Sequence, residues 1–199
     1  ILVTGSHGLV GTQLVSTLNS RGHNVTRLVR LGMNADDILW NPERGEIDKR
    51  RLEGFDGVVH LAGDNIAAGR WTGQKKRIIR ESRVQGTSLL SDTLASLSRP
   101  PSVFISASAI GFYGNRGDET LTEKSPPGND FLASVCMDWE AATKSAAEKG
   151  IRTVHTRFGV ILDAREGALA KMLPPFRVGI GGKVGNGKQW MSWIALEDV

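Results

Sequence analysis

Thr4-Gly5-Ser6-His7-Gly8-Leu9-Val10-Gly11 is the stretch of sequence that decides the fold, because it places three glycines at the spacing GxxGxxG. The apolar run from Ile1 to Thr4 predicts a buried strand, and residues 8–21 carry apolar side chains at helical spacing. In this context the first glycine permits a tight turn, the second lets the backbone approach a pyrophosphate, and the third lets the helix pack on the strand. The stretch therefore predicts a dinucleotide-binding loop, with a bare structural turn as the alternative.

The rest of the chain continues this alternation of strands and helices. The predicted strands are 24–30, 38–40, 56–62, 103–107 and 151–157, and the predicted helices are 73–97, 129–148 and 168–176. The alternation predicts a doubly wound α/β fold, a parallel sheet of about six or seven strands with helices on both sides. Residues 179–187 are rich in glycine, but Ile180 and Val184 favour an ordered loop over a linker.

Composition limits the classes of protein that the chain can represent. It has 199 residues, a net charge of +4 and 40% hydrophobic residues, which fits one folded domain, or at most two. No run of 18 apolar residues occurs, so no membrane span is expected. The single cysteine, Cys136, forbids an internal disulfide, and four scattered histidines give no metal-ligand spacing, so we expect no metal. The basic balance suggests phosphate-bearing partners.

The end of the second predicted strand bears on the choice of cofactor. An acid at this point would hold a ribose 2′-hydroxyl, as in proteins that prefer NAD. Arg30 stands there instead, and no acid occurs between Gly11 and Asp36. Since a guanidinium can bind a 2′-phosphate, the sequence favours NADP. A solvated arginine is the alternative.

Several strings of sequence carry a resemblance to a known family. TGSHGLVG, DGVVHLAG and SRVQGT resemble the extended short-chain dehydrogenase/reductase (SDR) superfamily, whose domain is of the Rossmann type. ISASAIGFYG (105–114), FLASVCMDWE (131–140) and KMLPPFRVGIGGKVGNGKQ (171–189) resemble its atypical epimerase-family branch, which is NAD-dependent epimerase/dehydratase-like and includes sugar-nucleotide epimerases. Such proteins are longer and end in a small substrate region. The resemblance implies a dinucleotide-binding domain at 1–162 and the start of the substrate region at 163–199.

The resemblance also implies a set of cofactor contacts. The loop cradles the pyrophosphate, and the ends of the later strands face the adenine, the riboses and the nicotinamide. Arg83 lies one helical turn past Ile79 on the inward side, where it points to the cofactor or snorkels at the core edge. The implied residues are Gly5, His7, Gly8, Leu9, Val10, Arg30, Leu61, Ala62, Gly63, Arg83, Ser106, Ala107 and Leu162.

The catalytic pair of the superfamily is missing. The resemblance implies Tyr-x-x-x-Lys on the helix after the fifth strand, where the tyrosine moves a proton and the lysine lowers its pKa. Val135 and Trp139 stand in those places. Ser108, Tyr113 and Cys136 are the candidate substitutes, and each has a structural alternative as a packing residue. A one-residue shift would put Ala109 rather than Ser108 at the usual serine position, and His60 is expected to be a core histidine.

Three interpretations of function follow. The first is an NADP-linked oxidoreductase or epimerase that acts on a small sugar-like or anionic substrate. The second is a non-catalytic dinucleotide-binding sensor or scaffold. The third, nucleic-acid binding through Lys75–Arg77 with Arg80 and Arg83, is weaker, because a solvated helix face explains the charges.

The expected partners and location follow from the first two interpretations. We expect a small-molecule substrate, no nucleic acid or membrane partner, and a homodimer as one arrangement. Since the chain starts inside an apolar run at Ile1, we expect it to be a piece of a longer protein. Its expected location is the cytoplasm, or an organelle if a targeting segment precedes it.

Overall fold

The computed structural model describes residues 1–32, 34–183 and 185–199 as nine strands, five α-helices and three short 3-10 turns. The strands are β1 (Leu2–Thr4), β2 (Thr26–Val29), β3 (Ile38–Asn41), β4 (Glu46–Ile47), β5 (Gly57–His60), β6 (Val103–Ala109), β7 (Arg152–Phe158), β8 (Val160–Leu162) and β9 (Trp193–Ala195). The helices are α1 (Leu9–Ser20), α2 (Gly73–Ala95), α3 (Phe131–Ala141), α4 (Lys144–Glu148) and α5 (Gly167–Arg177). The 3-10 turns span Lys49–Leu52, Ile110–Tyr113 and Leu196–Asp198.

Seven of the strands form one sheet in the order β4-β3-β2-β1-β5-β6-β7. All neighbouring pairs are parallel except β3 and β4, which are antiparallel. The chain runs from β1 outward through β2 and β3, and then returns to the other side of β1 for β5, β6 and β7. The carboxyl end of β1 is therefore a topological switch point, where ligands bind in doubly wound sheets. The predicted fold class is confirmed.

The core lies between the sheet and its helices. Leu2, Val58 and Phe104 from neighbouring strands are fully buried, and they cluster with Leu90 and Leu94 of α2. The central strands β1 and β5 are short and mostly apolar because helices cover both faces of the sheet there. This packing fixes the carboxyl ends of β1, β5 and β6 beside one another at a single edge.

The structure corrects the predicted helix 129–148, which consists of two helices. α3 ends at Ala141 and α4 begins at Lys144. The hydroxyl of Thr143 donates to the carbonyl of Glu140 at 2.7 Å, and such a side-chain bond competes with the backbone pattern of a continuing helix.

One strand pairing near the carboxyl end of the chain was not predicted. β8 pairs in parallel with β9, which joins residues on either side of position 162. The described residues of the loop 179–187, namely 179–183 and 185–187, belong to no helix or strand, and Val184 lies outside the described residues. The domain boundary at 162 and the ordered loop stay predictions.

Among the residues that the structure describes, no helix combines the length and the apolar character that crossing a bilayer requires. Within the same ranges, no group of three or more His, Cys, Asp or Glu side chains is placed to hold a metal ion.

Candidate dinucleotide and proton-transfer sites

The glycine loop connects β1 to α1 in a conformation that needs glycine at two positions. Gly5 has φ +66°, and a Cβ there would lie 2.6 Å from the carbonyl carbon of Leu61. A Cβ on Gly11 would lie 2.2 Å from the carbonyl oxygen of Gly5. At Gly8 the nearest such contact is an ordinary 3.4 Å, so the outer side of the loop stays accessible. The loop thus has the close packing that the sequence predicted, with an approachable outer surface.

The amino end of α1 opens from this loop. Gly8 is its N-cap, has no side-chain capping bond, and is followed by a first turn without acidic residues. The first amides of a helix lack intrahelical partners and carry the positive end of the helix dipole. An anionic group beside the loop would satisfy these amides, as phosphates do at other helix amino ends.

A cleft of about 520 Å³ lies over the loop. Six of the residues implied by the resemblance line it, namely Gly5, His7, Gly8, Arg30, Ala62 and Gly63. The sequence analysis missed other lining residues, including Ser6, Trp40, Glu43, Asp64 and Gln85. These residues come from the glycine loop, from β3 and the turn after it, from the segment after β5 and from α2, and the end of β2 with Arg30 adds a further wall of the cleft.

Ser6 supports the fit of a phosphate-bearing ligand. Its side chain is 3% exposed, it lines the cleft, and its hydroxyl has no hydrogen-bond partner among the described residues. A buried hydroxyl without a partner is costly unless a ligand or water satisfies it. The hydroxyl and the amides of α1 together offer donors of the kind that a pyrophosphate accepts, so the residues present fit a dinucleotide.

A buried hydrogen-bond chain supports the loop from below. The Thr4 hydroxyl accepts from the backbone amides of Leu61 at 3.1 Å and Ala62 at 3.2 Å, so its own proton goes to His60 Nδ1 at 2.7 Å. His60 Nε2 then carries the proton and donates to the Thr87 hydroxyl at 3.0 Å. Burial lowers the pKa of His60 to about 4, so the ring is neutral near pH 7. The expected core histidine is confirmed, and it also ties β1 to β5.

Arg83 lies inward, as its helical position predicted. Its guanidinium donates to the carbonyls of Ile79 and Asp64, both at 3.0 Å, and sits 5.1 Å from the ring of Trp139. Burial lowers the pKa of Arg83 below its usual value. Arg83 therefore braces the segment at Gly63, although it does not line the cleft.

The remaining implied cofactor residues lie outside the lining of the cleft. Leu61 packs its backbone against Gly5, and Leu162 belongs to β8. The others are Leu9 and Val10 at the start of α1, and Ser106 and Ala107 inside β6, which ends at Ala109 and not at the predicted residue 107.

A second cluster contains all three candidate catalytic residues. The Ser108 hydroxyl donates to Glu140 Oε1 at 2.6 Å. Arg157 donates two hydrogen bonds of 2.8 Å to the same carboxylate, and its Nη1 donates to the Tyr113 hydroxyl at 2.9 Å. Burial alone would raise the pKa of Glu140, but the hydrogen bonds from Arg157 and Ser108 outweigh it and lower that pKa. The hydrogen bonds between Arg157 and Glu140 in turn raise the pKa of Arg157.

The sequence analysis missed Glu140 and Arg157. Arg157 lies on β7, a half-buried edge strand that carries several polar side chains, and Glu140 ends the FLASVCMDWE string, which places it one helical turn beyond Cys136. Because polar and apolar side chains mix along β7, its sequence does not mark Arg157 as the partner of a carboxylate.

Cys136 sits at the inner end of the cluster, 4% exposed. Burial raises the pKa of its thiol, the Glu140 carboxylate raises it further, and hydrogen bonds with Ala109 and Ser108 lower it less. The thiol is therefore protonated near neutral pH, which disfavours a role as nucleophile or base.

Val135 and Trp139 are both buried on α3. The indole Nε1 of Trp139 has no hydrogen-bond partner among the described residues. Neither side chain carries an ionisable group, so the helix offers no proton donor of the usual kind at the two positions.

The basic face of α2 is neutralised locally. Lys75 contacts Asp64, and Arg80 pairs with Asp138 and donates to Ser134 at 2.8 Å. The sequence analysis expected a solvated helix face here, whereas the structure pairs Lys75 and Arg80 with acids and turns Arg83 inward.

A doubly wound sheet with a glycine loop at its switch point defines an NAD(P)-binding domain of the SDR type. The model of the NAD dependent epimerase/dehydratase family matches residues 1–199, and the chain belongs to that family. The resemblance found in the sequence is thereby confirmed. An epimerase family protein of Mycobacterium bovis is 43% identical over 199 residues, which are 100% of this chain and 65% of that relative. The chain thus spans less than two thirds of that protein's length.

Two solved structures are similar over 99% of this chain. The nucleoside-diphosphate sugar epimerase from Corynebacterium glutamicum is 43% identical, with a TM-score of 0.86 over 41% of that protein. The human epimerase family protein SDR39U1, solved with NADPH, is 34% identical, with a TM-score of 0.89 over 66% of that protein.

Proposed function

We propose that this chain binds NADP(H) in the cleft over the glycine loop. The observation that carries the proposal is the placement of Arg30 in the lining of that cleft, together with the glycine loop and the unpartnered Ser6 hydroxyl. Arg30 is exposed, so its guanidinium is accessible to a 2′-phosphate. The human relative that was solved with NADPH supports this choice of cofactor.

The proposed assignments within the site follow the residues of the loop and the strand ends. The amides at Gly8, Leu9 and Val10 would hold the pyrophosphate, with His7 beside them, and Arg30 would hold the ribose phosphate. Leu61, Ala62 and Gly63 would contact the adenine and ribose side, braced by Arg83. Ser106, Ala107 and Leu162 would lie toward the nicotinamide. A bound nicotinamide would supply or accept a hydride, and residues of the chain would move the proton.

We further propose that the whole protein is an oxidoreductase or epimerase acting on a small sugar-like or anionic molecule. The cluster of Ser108, Tyr113 and Glu140 supports an enzyme, because it places hydroxyls and a carboxylate beside the carboxyl end of β6. Because Val135 and Trp139 provide no acid or base, we expect ordinary sugar-nucleotide epimerisation to be absent or slow. A general acid–base group contributes about 10²–10⁴-fold, which sets the expected deficit.

The second candidate is a dinucleotide-binding sensor or scaffold, favoured by the burial of apolar Val135 and Trp139 on α3. The two candidates are separated by assaying UDP- and GDP-sugars with NADP or NAD, using wild type and the Val135→Tyr/Trp139→Lys double variant. Robust epimerisation by wild type would show that the active site has been assigned to the wrong residues. Turnover gained by the double variant alone would support a binding protein descended from an enzyme.

A further inference from the structure

Two hydroxyls of the second cluster make hydrogen bonds of opposite direction. The Ser108 hydroxyl donates a hydrogen bond to Glu140 Oε1 at 2.6 Å. The Tyr113 hydroxyl accepts a hydrogen bond from Arg157 Nη1 at 2.9 Å, and within the described residues it donates none. A hydroxyl has one proton to give, so the proton of Ser108 is already committed, whereas that of Tyr113 remains available.

The Glu140–Arg157 ion pair sets both directions. The carboxylate is held by two guanidinium bonds, and the lowered pKa of Glu140 keeps it ionised and acceptor-only. The guanidinium has donors and no acceptor, so its bond with Tyr113 has a single sense. It is also stacked on Phe112, 3.5 Å from the ring centroid, which fixes its plane.

The contact between Tyr113 and Arg157 has a chemical consequence. The guanidinium N–H that donates to the phenolic oxygen keeps donating to that oxygen as its proton leaves. The superfamily obtains this effect from the lysine of Tyr-x-x-x-Lys, which this chain lacks. Here a tyrosine after β6 and an arginine on β7 supply an equivalent pairing from different elements.

We propose that Tyr113 is the proton donor of this site, and that Glu140 and Arg157 are positioning residues. Their hydrogen bonds leave the Tyr113 proton free for a substrate, and leave Ser108 able only to accept a hydrogen bond from one. The inference rests on the proposed NADP(H)-linked function. In the reductive direction a bound nicotinamide would supply the hydride to a carbonyl carbon, and the O–H bond of Tyr113 would break to give its proton to the carbonyl oxygen. The product would be an alcohol, the phenolate would stay beside Arg157, and a proton taken up from the solvent would restore the hydroxyl.

The chain permits a direct spectroscopic test, because Tyr113 is its single tyrosine. Label that tyrosine with ¹³C at Cζ, and compare wild type with Arg157→Met, Arg157→Lys and Glu140→Gln. We expect the resonance to move in Arg157→Met and to return toward the wild-type position in Arg157→Lys. Glu140→Gln should move it too, because the carboxylate orients the guanidinium. An unmoved resonance in Arg157→Met would overturn the positioning role.

Arg116 and Glu119 provide the matched control. They form another bidentate pair, with bonds of 2.9 and 2.8 Å, in the turn that follows Tyr113, and no described hydrogen bond joins them to its hydroxyl. Arg116→Met and Glu119→Gln should leave the tyrosine resonance in place. A shift of equal size in these variants would mean that the resonance reports general loosening of the fold.

The donor role is tested with NADPH and a panel of aldehydes, ketones and quinones that includes 9,10-phenanthrenequinone. We expect Tyr113→Phe to bind NADPH as wild type does but to consume it at least about 100-fold more slowly, the lower range for loss of a general acid. Ser108→Ala should lose less. Equal losses in the two variants, or an active Tyr113→Phe, would overturn the donor assignment.

The same assay separates the two levels of the proposal. Wild type that fails to bind NADPH would refute the proposed function, while the resonance experiment would still judge the positioning pair. Wild type that binds NADPH but consumes none with the panel would overturn the donor assignment and leave the cofactor proposal standing.

Discussion

Acidification should destabilise this protein through His60, and the structure gives the size of the effect. The ring is fully buried, and burial lowers its pKa from 6.5 to about 4. Because the unfolded state binds the proton more readily, stability falls as pH drops below about 6.5, and the loss is complete near pH 4. The full loss is about 3 kcal/mol, and about 2 kcal/mol of it is reached by pH 5, at 1.36 kcal/mol per unit.

The hydrogen bonds explain why His60 resists protonation. Nδ1 accepts the proton of Thr4, whose oxygen is occupied by the amides of Leu61 and Ala62. A second ring proton would face the Thr4 hydroxyl and force the buried hydrogen-bond chain to rearrange. NADPH binding should therefore weaken over the same pH range, since this chain supports the glycine loop.

The assay is urea unfolding at pH 7 and pH 5 for wild type and His60→Gln, with His23→Gln as the control because His23 is exposed. Wild type and His23→Gln should lose about 2 kcal/mol more than His60→Gln between these two pH values. Imidazole ¹⁵N shifts of His60 provide a check that does not depend on the variant. Equal losses in all three proteins, or a His60 ring that titrates near pH 6.5, would refute the reasoning.

Two more predictions concern the loop and the thiol. Gly11→Ala should abolish dinucleotide binding and lower the unfolding midpoint, because its Cβ would lie 2.2 Å from a backbone carbonyl; Gly73→Ala, where nothing lies within 4 Å, should do neither, and calorimetry with thermal unfolding checks both. The pH dependence of alkylation of the single cysteine should shift to lower pH in Glu140→Gln, which removes a charge that raises the pKa of Cys136. A shift of the opposite sign would contradict the described cluster.

The sequence predicted the parts of the fold that depend on local patterns. The glycine spacing gave the loop, and the alternation gave every parallel strand of the main sheet, because burial on both faces leaves apolar runs. The break between α3 and α4 escaped prediction, since it depends on one hydroxyl of Thr143 turning back to Glu140. The pairing of β8 with β9 joins segments distant in sequence, and hydrophobic periodicity does not report such pairings.

The candidate sites show the same division. The loop, Arg30 and the strand ends could be identified from local motifs. The partners of Ser108 and Tyr113 could not, because Glu140 lies 32 residues from Ser108 and Arg157 lies 44 residues from Tyr113. These contacts arise when α3 and β7 pack beside the carboxyl end of β6. Local sequence patterns do not predict which side chains this packing brings together.

The central claim is that Arg30 makes this cleft an NADP(H) site. The most direct measurement is a titration of NADPH and NADH against wild type, Arg30→Ala and Arg152→Ala. Arg152 is an exposed arginine at the amino end of β7, at the edge of the sheet away from the glycine loop. One charge-assisted hydrogen bond contributes about 1.5–3 kcal/mol, so wild type and Arg152→Ala should prefer NADPH by about tenfold or more. Arg30→Ala should lose that preference while keeping its affinity for NADH. A wild-type protein that binds NADH as tightly as NADPH, or a preference that survives Arg30→Ala, would contradict the claim.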